Sequence, residues 1–218
     1  MGKILVIAAT SREIECINKI PVSVSGKEIK SIVGGVGPVS TVYSLMDYFL
    51  SFDIPDIVIN IGIAGSYDKK LSPGTVIVPV TDCFADLGVY DGSRFIPLSR
   101  TGLKKDNDNL TSSDLYMADS GLLKLLPDAI RHVKAVTVNA TTGSKESRER
   151  ISAEFNPDIE TMEGAAVYYT CNMKNIPCLG IRSVSNLVGP RDIASWDINT
   201  ALSNLGETVT SYINKIAI

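Results

Sequence analysis

Short apolar runs rich in β-branched residues alternate along this chain with segments in which apolar residues recur every three or four positions. The first pattern is typical of buried strands and the second of amphipathic helices. The alternation predicts an α/β fold with a central mixed β-sheet that helices cover on both faces. The predicted strands are 3–9, 28–33, 56–61, 75–80, 134–139 and 178–185, and the clearest predicted helices are 39–51, 144–153, 163–174 and 199–216.

The chain has 218 residues, of which 44% are apolar, and this is enough to bury one sizeable core. We therefore expect a single domain, 1–218, with the hydrophilic stretch 99–114 as a surface loop. The first apolar strand has no basic leader before it, and no apolar run approaches the length of a membrane span. These features predict a cytoplasmic protein with no membrane partner.

Charge and cysteine usage narrow the possible partners further. The net charge is −3 and no basic block or basic helix face occurs, so we expect no nucleic-acid partner. The cysteines Cys16, Cys83, Cys171 and Cys178 lack the paired spacing of a metal site, which predicts reduced and mostly buried thiols. The sequence thus predicts no metal ion and no organic cofactor.

His132 is the only histidine, and it stands among charged neighbours after a predicted loop. A histidine-based triad needs a nucleophile and an orienting partner, so chemistry of that kind is not expected. We interpret His132 as a solvated residue of a loop or strand edge. Proton transfer would then depend on carboxylates, amides or water.

Polar and glycine-rich segments follow several predicted strands, and ligands of α/β folds collect at such strand ends. Glu13 follows the first strand, and the small residues of 60–66 would let a ligand reach backbone amides. The glycine-rich run 34–40 invites comparison with a dinucleotide-binding loop. It does not follow the first strand, and Ser40 replaces the third glycine of that motif, so NAD binding is not expected.

Glu163 follows Met162 at the start of the predicted helix 163–174. A carboxylate in a first helical turn faces the positive end of the helix dipole, which favours its ionised form and leaves two acceptor oxygens. The simplest interpretation is electrostatic stabilisation of the helix. A second interpretation is that Glu163 accepts hydrogen bonds from the hydroxyls of a sugar.

The order and spacing of five motifs resemble those of the nucleoside phosphorylase/nucleosidase superfamily, in particular its nucleosidase branch. These motifs are Glu13, the glycine turn 35–37, and the segments 60–65, 162–166 and 181–186, so the resemblance covers essentially the whole chain. The segment 185–192, with Trp196 behind it, is similar to the futalosine hydrolases, which act in menaquinone biosynthesis. The resemblance implies hydrolysis of the N-glycosidic bond of a small purine nucleoside.

The resemblance also implies roles for individual residues. Glu13 would orient and deprotonate the attacking water, and Glu163 would accept the ribose hydroxyls beside an apolar wall formed by Met162. For these roles we expect a less polar environment around Glu13 and a donor-rich one around Glu163. Further substrate contacts are expected from Ala64, Gly65, Thr142, Gly143 and Ser185.

Asn186 stands where the related methylthioadenosine/S-adenosylhomocysteine nucleosidases carry an aspartate. A carboxamide donates N–H to a 6-oxo group while it accepts from a protonated N7, whereas a carboxylate would repel the 6-oxo oxygen. Asn186 therefore favours an inosine-type substrate and is the second residue expected to act in catalysis. An asparagine that only closes a strand-end turn is the simpler interpretation.

The attacking group could be phosphate rather than water, because sister enzymes of this superfamily use phosphate and hold it with arginines. Arg12 could mimic one of these arginines, whereas Asn60 and Ile61 occupy the region of another, which favours water. Two more functions fit the same motifs. One is an adenine-type nucleosidase, and the second is a non-catalytic nucleoside-binding protein.

The resemblance further implies an apolar channel for the 5′ substituent of futalosine, with a cation or donor for its carboxylate. Candidates for that contact are Arg94, Arg191 and Trp196. By analogy with the superfamily we expect a homodimer or larger homo-oligomer.

Overall fold

The computed structural model describes residues 2–18, 20–24, 26–102 and 114–216. The strands are β1 (Gly2–Ala8), β2 (Ser23–Val24), β3 (Lys27–Val33), β4 (Ile57–Ser66), β5 (Val76–Asp82), β6 (Gly88–Asp91), β7 (Arg94–Pro97), β8 (Tyr116–Met117), β9 (Arg131–Thr137), β10 (Ile159–Thr161) and β11 (Cys178–Leu187). The helices are α1 (Ser11–Glu15), α2 (Pro38–Ser51), α3 (Ser120–Leu123), α4 (Lys145–Phe155), α5 (Gly164–Lys174) and α6 (Ile198–Lys215), and 3₁₀ turns span Leu98–Arg100 and Ile193–Ser195.

Every predicted strand and helix is confirmed, with small shifts at most boundaries. The largest shift is in β4, which continues to Ser66 rather than ending at Ile61. The expected surface loop 99–114 lies mostly outside the described residues. His132 is an exposed residue of β9, as interpreted from the sequence.

The main sheet has the strand order β10-β9-β5-β11-β4-β1-β3-β2, and β8 pairs with β5. β1 pairs in parallel with β3 and β4, and β4 pairs in parallel with β11. β10 is parallel to β9 but antiparallel to β4, so these strands together with β5 and β11 form a closed ring. The sheet is therefore mixed, as predicted, and its closure brings β10 against the carboxyl-terminal half of β4.

Burial of both faces explains why the strand sequences are continuous apolar runs rather than alternating apolar and polar residues. In β1 the residues Ile4 through Ala8 are all buried, so both faces of this strand are covered. Helix α5 is buried along most of its length, and it ends at Asn175, which adopts the left-handed conformation. The cysteines are free thiols and all but Cys16 are buried. None of the helices in the described residues is long and apolar enough to cross a membrane.

Candidate active site

A cavity of about 330 Å³ opens where α1 and the ends of β4, β10 and β11 meet. Its lining contains the nine residues that the sequence assigns to catalysis or to contacts with the nucleoside. These are Glu13, Ala64, Gly65, Thr142, Gly143, Met162, Glu163, Ser185 and Asn186. Residues from five separate segments of the chain therefore share one site.

Glu13 is held in place by the start of helix α1. Thr10 is the N-cap of this helix, and its hydroxyl accepts the backbone N–H of Glu13 at 3.3 Å. In return, Glu13 Oε2 accepts the Thr10 backbone N–H at 3.0 Å and the Thr10 hydroxyl at 2.8 Å. These reciprocal hydrogen bonds form a capping box, which fixes the position of the Glu13 carboxylate.

The other oxygen of Glu13 contacts strand β4. The backbone N–H of Ile63 donates to Glu13 Oε1 at 3.1 Å. Gly62 makes this approach possible, since a Cβ on Gly62 would lie 2.8 Å from Glu13 Oε1. The backbone amide of Ile63 therefore orients the Glu13 carboxylate, and this contact does not involve the Ile63 side chain.

Arg182 is a buried residue of this region for which the sequence analysis proposed no role. Its Nη1 donates to the Asn60 carbonyl oxygen at 2.7 Å, and its Nη2 donates to Asn60 Oδ1. A Cβ on Gly62 would lie 3.9 Å from Arg182 Cζ, so the guanidinium lies on the same side of Gly62 as the Glu13 carboxylate. The available signal was a charged residue within the apolar strand 178–185.

Glu163 is the N-cap residue of α5, immediately before the first helical turn. Its Oε1 accepts the backbone N–H of Gly37 at 3.0 Å. Burial raises the pKa of the Glu163 carboxyl, while the Gly37 amide and the Arg182 guanidinium act in the opposite direction. The glycine-rich run 34–40 therefore holds a carboxylate of the site.

Both carboxylates of the site accept hydrogen bonds from backbone amides. Glu13 accepts three hydrogen bonds, two from Thr10 and one from Ile63. Glu163 accepts the Gly37 amide, and burial is the largest effect on its pKa. Backbone amides of Gly37 and Met162 and the charge of Arg182 act on Glu163 against burial, so the expected donor-rich environment of Glu163 stays a prediction.

Asn186 lies near the end of β11 with its carboxamide held at both ends. Ser185 Oγ donates to Asn186 Oδ1 at 2.7 Å, and Asn186 Nδ2 donates to the Leu187 carbonyl oxygen at 2.9 Å. A Cβ on the neighbouring Gly65 would lie 3.4 Å from Asn186 Nδ2 and 2.9 Å from a methyl group of Val188. The absence of a side chain at Gly65 therefore leaves room for Val188, whereas a Cβ there would be in ordinary contact with the carboxamide.

The three candidates for a contact with the 5′ substituent are not all in the site. Arg191 and Trp196 line the cavity, as does Arg12, whose Nη2 donates to Asn199 Oδ1 at 2.8 Å. Arg94 does not line it, because its strand β7 pairs with β6 in a separate two-stranded sheet. Glu160, to which no role was assigned, also lines the cavity.

Comparison with known proteins identifies relatives over most of the chain. Residues 9–214 match the model of the phosphorylase superfamily. A futalosine hydrolase from Streptomyces coelicolor is 30% identical over 184 residues, which cover 82% of this chain and 75% of that protein. A 5′-methylthioadenosine/S-adenosylhomocysteine nucleosidase from Colwellia psychrerythraea is 24% identical, with 88% of this chain and 81% of that protein covered.

Solved structures share the fold at lower sequence identity. A futalosine hydrolase mutant from Helicobacter pylori superposes with a TM-score of 0.81 at 19% identity, covering 99% of this chain and 100% of that chain. The predicted fold class and the resemblance to futalosine hydrolases and nucleosidases are thus confirmed. On the family match and the 30% identical relative, this chain belongs to the phosphorylase superfamily.

Proposed function

We propose that this protein hydrolyses the N-glycosidic bond of a purine nucleoside, and that its substrate is futalosine, which it converts to hypoxanthine and dehypoxanthine futalosine. The observation that carries the proposal is the single cavity that Glu13, Glu163 and Asn186 line together. The relatives named futalosine hydrolase, from Streptomyces coelicolor and Thermus thermophilus, support the choice of substrate.

The proposed reaction uses water as the nucleophile. Glu13 takes a proton from this water as its oxygen bonds to C1′ of the ribose, and the bond between C1′ and the purine breaks. Glu163 accepts hydrogen bonds from the ribose hydroxyls and stabilises the cationic sugar, with Met162 as an apolar wall. The purine leaves with the electron pair of the broken bond and takes up a proton from a second water, and the proton that Glu13 accepted then restores that water and regenerates the carboxylate.

Asn186 would recognise the departing base. One N–H of Asn186 Nδ2 donates to the Leu187 carbonyl oxygen, and the second N–H can donate to the 6-oxo oxygen of hypoxanthine. Its Oδ1 accepts the Ser185 hydroxyl and keeps a lone pair for a protonated N7. The carboxamide held in this way matches a 6-oxopurine better than a 6-aminopurine.

The charges of the cavity favour water over phosphate. Among the described residues, the arginines that line it are Arg12 and Arg191, and Arg12 is already bonded to Asn199. Three carboxylates line the same cavity, namely Glu13, Glu160 and Glu163. A phosphate dianion would meet more negative than positive side chains here.

Arg191 is the best candidate for the carboxylate of the 5′ substituent. It lines the cavity beside Trp196, and it makes no hydrogen bond to another residue of the described ranges. An arginine binds a carboxylate with two parallel N–H donors, which gives both affinity and orientation.

The protein is further proposed to act as a homodimer or larger homo-oligomer in the cytoplasm. Val39 and Tyr43 form an apolar stripe on α2 that is 81% and 71% exposed, and Val36 extends this stripe to the cavity. Free buried thiols agree with a reducing compartment. Light scattering after size-exclusion chromatography checks the assembly, and a monomer at micromolar concentration contradicts it.

One assay tests the activity directly. The protein is incubated with futalosine, inosine and 5′-methylthioadenosine, each with and without phosphate, and the released bases are separated by chromatography. Hypoxanthine released from futalosine without phosphate is the expected result. Release of adenine alone, or a strict need for phosphate, contradicts the proposal, and binding without any free base indicates a non-catalytic nucleoside-binding protein.

A further inference from the structure

We propose that Glu160 is a positioning residue that fixes residues 141–143 as the wall of the cavity facing the purine base. This inference rests on the proposed function, because it assumes that the base lies beside Asn186. We call residues 141–143 the base-side wall.

The hydrogen bonds of Glu160 are directed at this wall. Glu160 Oε1 accepts the backbone N–H of Thr142 at 2.8 Å, and Glu160 Oε2 accepts the Thr142 hydroxyl. Thr142 is therefore buried, whereas its neighbours Thr141 and Gly143 are exposed at the cavity. Since one carboxylate accepts both the main-chain and the side-chain donor of Thr142, the position of the wall depends on Glu160.

Glu160 itself is well ordered by its surroundings. It lies on β10, between β9 and β4, and it is 6% exposed. The Tyr67 hydroxyl donates to Glu160 Oε2 at 2.9 Å. A buried carboxylate with three donors is a firm anchor, because moving it would leave its charge and those donors unpaired.

The register of the sheet places this anchor opposite Asn186. Glu160 pairs with Gly65 across β10 and β4, and Asn186 pairs with Gly65 across β11 and β4. Paired residues on neighbouring strands share a face of the sheet, so Glu160 and Asn186 flank Gly65 at a separation of roughly two strand spacings, about 10 Å. Both residues line the cavity, so the base-side wall that Glu160 holds and the Asn186 carboxamide belong to the same site.

Two hydroxyl deletions separate anchoring of the wall from general packing. Thr142→Val and Thr170→Val each remove one buried hydroxyl, but the Thr170 hydroxyl donates to the Ala166 carbonyl oxygen within α5 and Thr170 does not line the cavity. We expect Thr142→Val to raise KM for the nucleoside about tenfold with kcat changed less than threefold. Thr170→Val should leave both constants within threefold of the wild type.

Variants of the anchor complete the test. Glu160→Ala should raise KM more than tenfold with little change in kcat. Glu160→Gln should keep KM close to the wild-type value, because its side-chain oxygen still accepts the Thr142 N–H and its amide can donate to the hydroxyls of Thr142 and Tyr67. Hypoxanthine affinity, measured by quenching of the single tryptophan Trp196 at the cavity, should follow the same order.

The outcomes distinguish the two proposals. Equal effects of Thr142→Val and Thr170→Val, or a fall in kcat at constant KM in Glu160→Ala, overturn the role of Glu160. If Glu160→Ala does not fold, the two hydroxyl deletions and Glu160→Gln decide the question. A wild type that cleaves no nucleoside but binds hypoxanthine refutes the proposed function alone, and a wild type that does neither overturns both.

Discussion

The substitution Asn186→Asp tests the assignment of the base-recognising residue. It changes one atom in a side chain whose two ends already have partners in the protein. Ser185 Oγ can still donate to the oxygen that replaces Asn186 Oδ1. The oxygen that replaces Asn186 Nδ2 would instead face the Leu187 carbonyl oxygen at the 2.9 Å that now separates donor and acceptor.

The size of the effect follows from these contacts. Loss of the donor leaves a carbonyl oxygen opposed to a carboxylate oxygen, which costs about 0.5–1.5 kcal/mol of folding stability because this hydrogen bond is exposed to solvent. The same change removes the N–H offered to the 6-oxo group and places negative charge near it. A loss of about 1–3 kcal/mol for the 6-oxopurine corresponds to a fall of about 5- to 150-fold in the ratio of hypoxanthine release to adenine release.

The measurement is kcat/KM for inosine and for 5′-methylthioadenosine at about pH 8, where a carboxylate is ionised. Asn204→Asp is a matched control, because Asn204 Nδ2 donates to the Gly74 carbonyl oxygen at 2.8 Å and the residue does not line the cavity. It should lose similar stability in urea unfolding but keep the wild-type ratio. If Asn186→Asp also keeps that ratio, base selection does not depend on Asn186 and the reasoning fails.

Three further substitutions test the proposed base Glu13, the contact of Arg191 with the 5′ substituent and the buried carboxyl group of Asp82. Glu13→Gln should lower kcat by about 10²–10⁴-fold while the nucleoside still binds. Glu15→Gln is the control, because Glu15 lies on the exposed side of α1 and its substitution should not change kcat. Equal activity of the two variants would exclude Glu13 from the mechanism. Arg191→Gln should raise KM for futalosine about tenfold and leave KM for inosine unchanged, and an equal rise for both would exclude a contact with the 5′ carboxylate. Burial raises the pKa of Asp82 from 3.8 to about 7, so the folded protein holds a proton that the unfolded chain releases, and stability falls as pH rises from about 4 to about 7. Asp82→Asn should lack that part of the decline, and it should exceed the wild type in urea unfolding at about pH 8 but not at about pH 4; identical curves contradict the buried-charge argument.

The strands and helices were predictable because their cause is local. Buried strands such as β1 must be apolar along their whole length, and Pro38 and Asn175 mark helix ends through their own backbone preferences. The closure of the sheet was not predictable in this way. It depends on β10, which is only three residues long and pairs with both β9 and β4, so its pattern carries no periodic signal.

The residues that meet in the cavity were predictable from motif resemblance, whereas their surroundings were not. Glu13 and Glu163 both line the cavity, but no pattern in the chain indicates that Thr10 and Ile63 surround one of them with donors. Such contacts depend on which loops meet at the strand ends. The same limit applies to Glu160, whose partner Tyr67 is distant in the chain.

The segment 60–66 shows why small residues in a strand can matter more for a site than the polar ones beside them. Gly62 and Gly65 each stand where a Cβ would collide with another group, Glu13 Oε1 in the first case and a methyl group of Val188 in the second. Both glycines lie on β4, between the strands that carry Glu160 and Asn186. Glycine is a weak strand former, yet the lack of a side chain at Gly62 is what lets the Glu13 carboxylate approach β4, and the lack of one at Gly65 leaves room for Val188 at the edge of the cavity. The chemistry of the cavity therefore depends on where β4 has no side chains as much as on where its neighbours have charged ones.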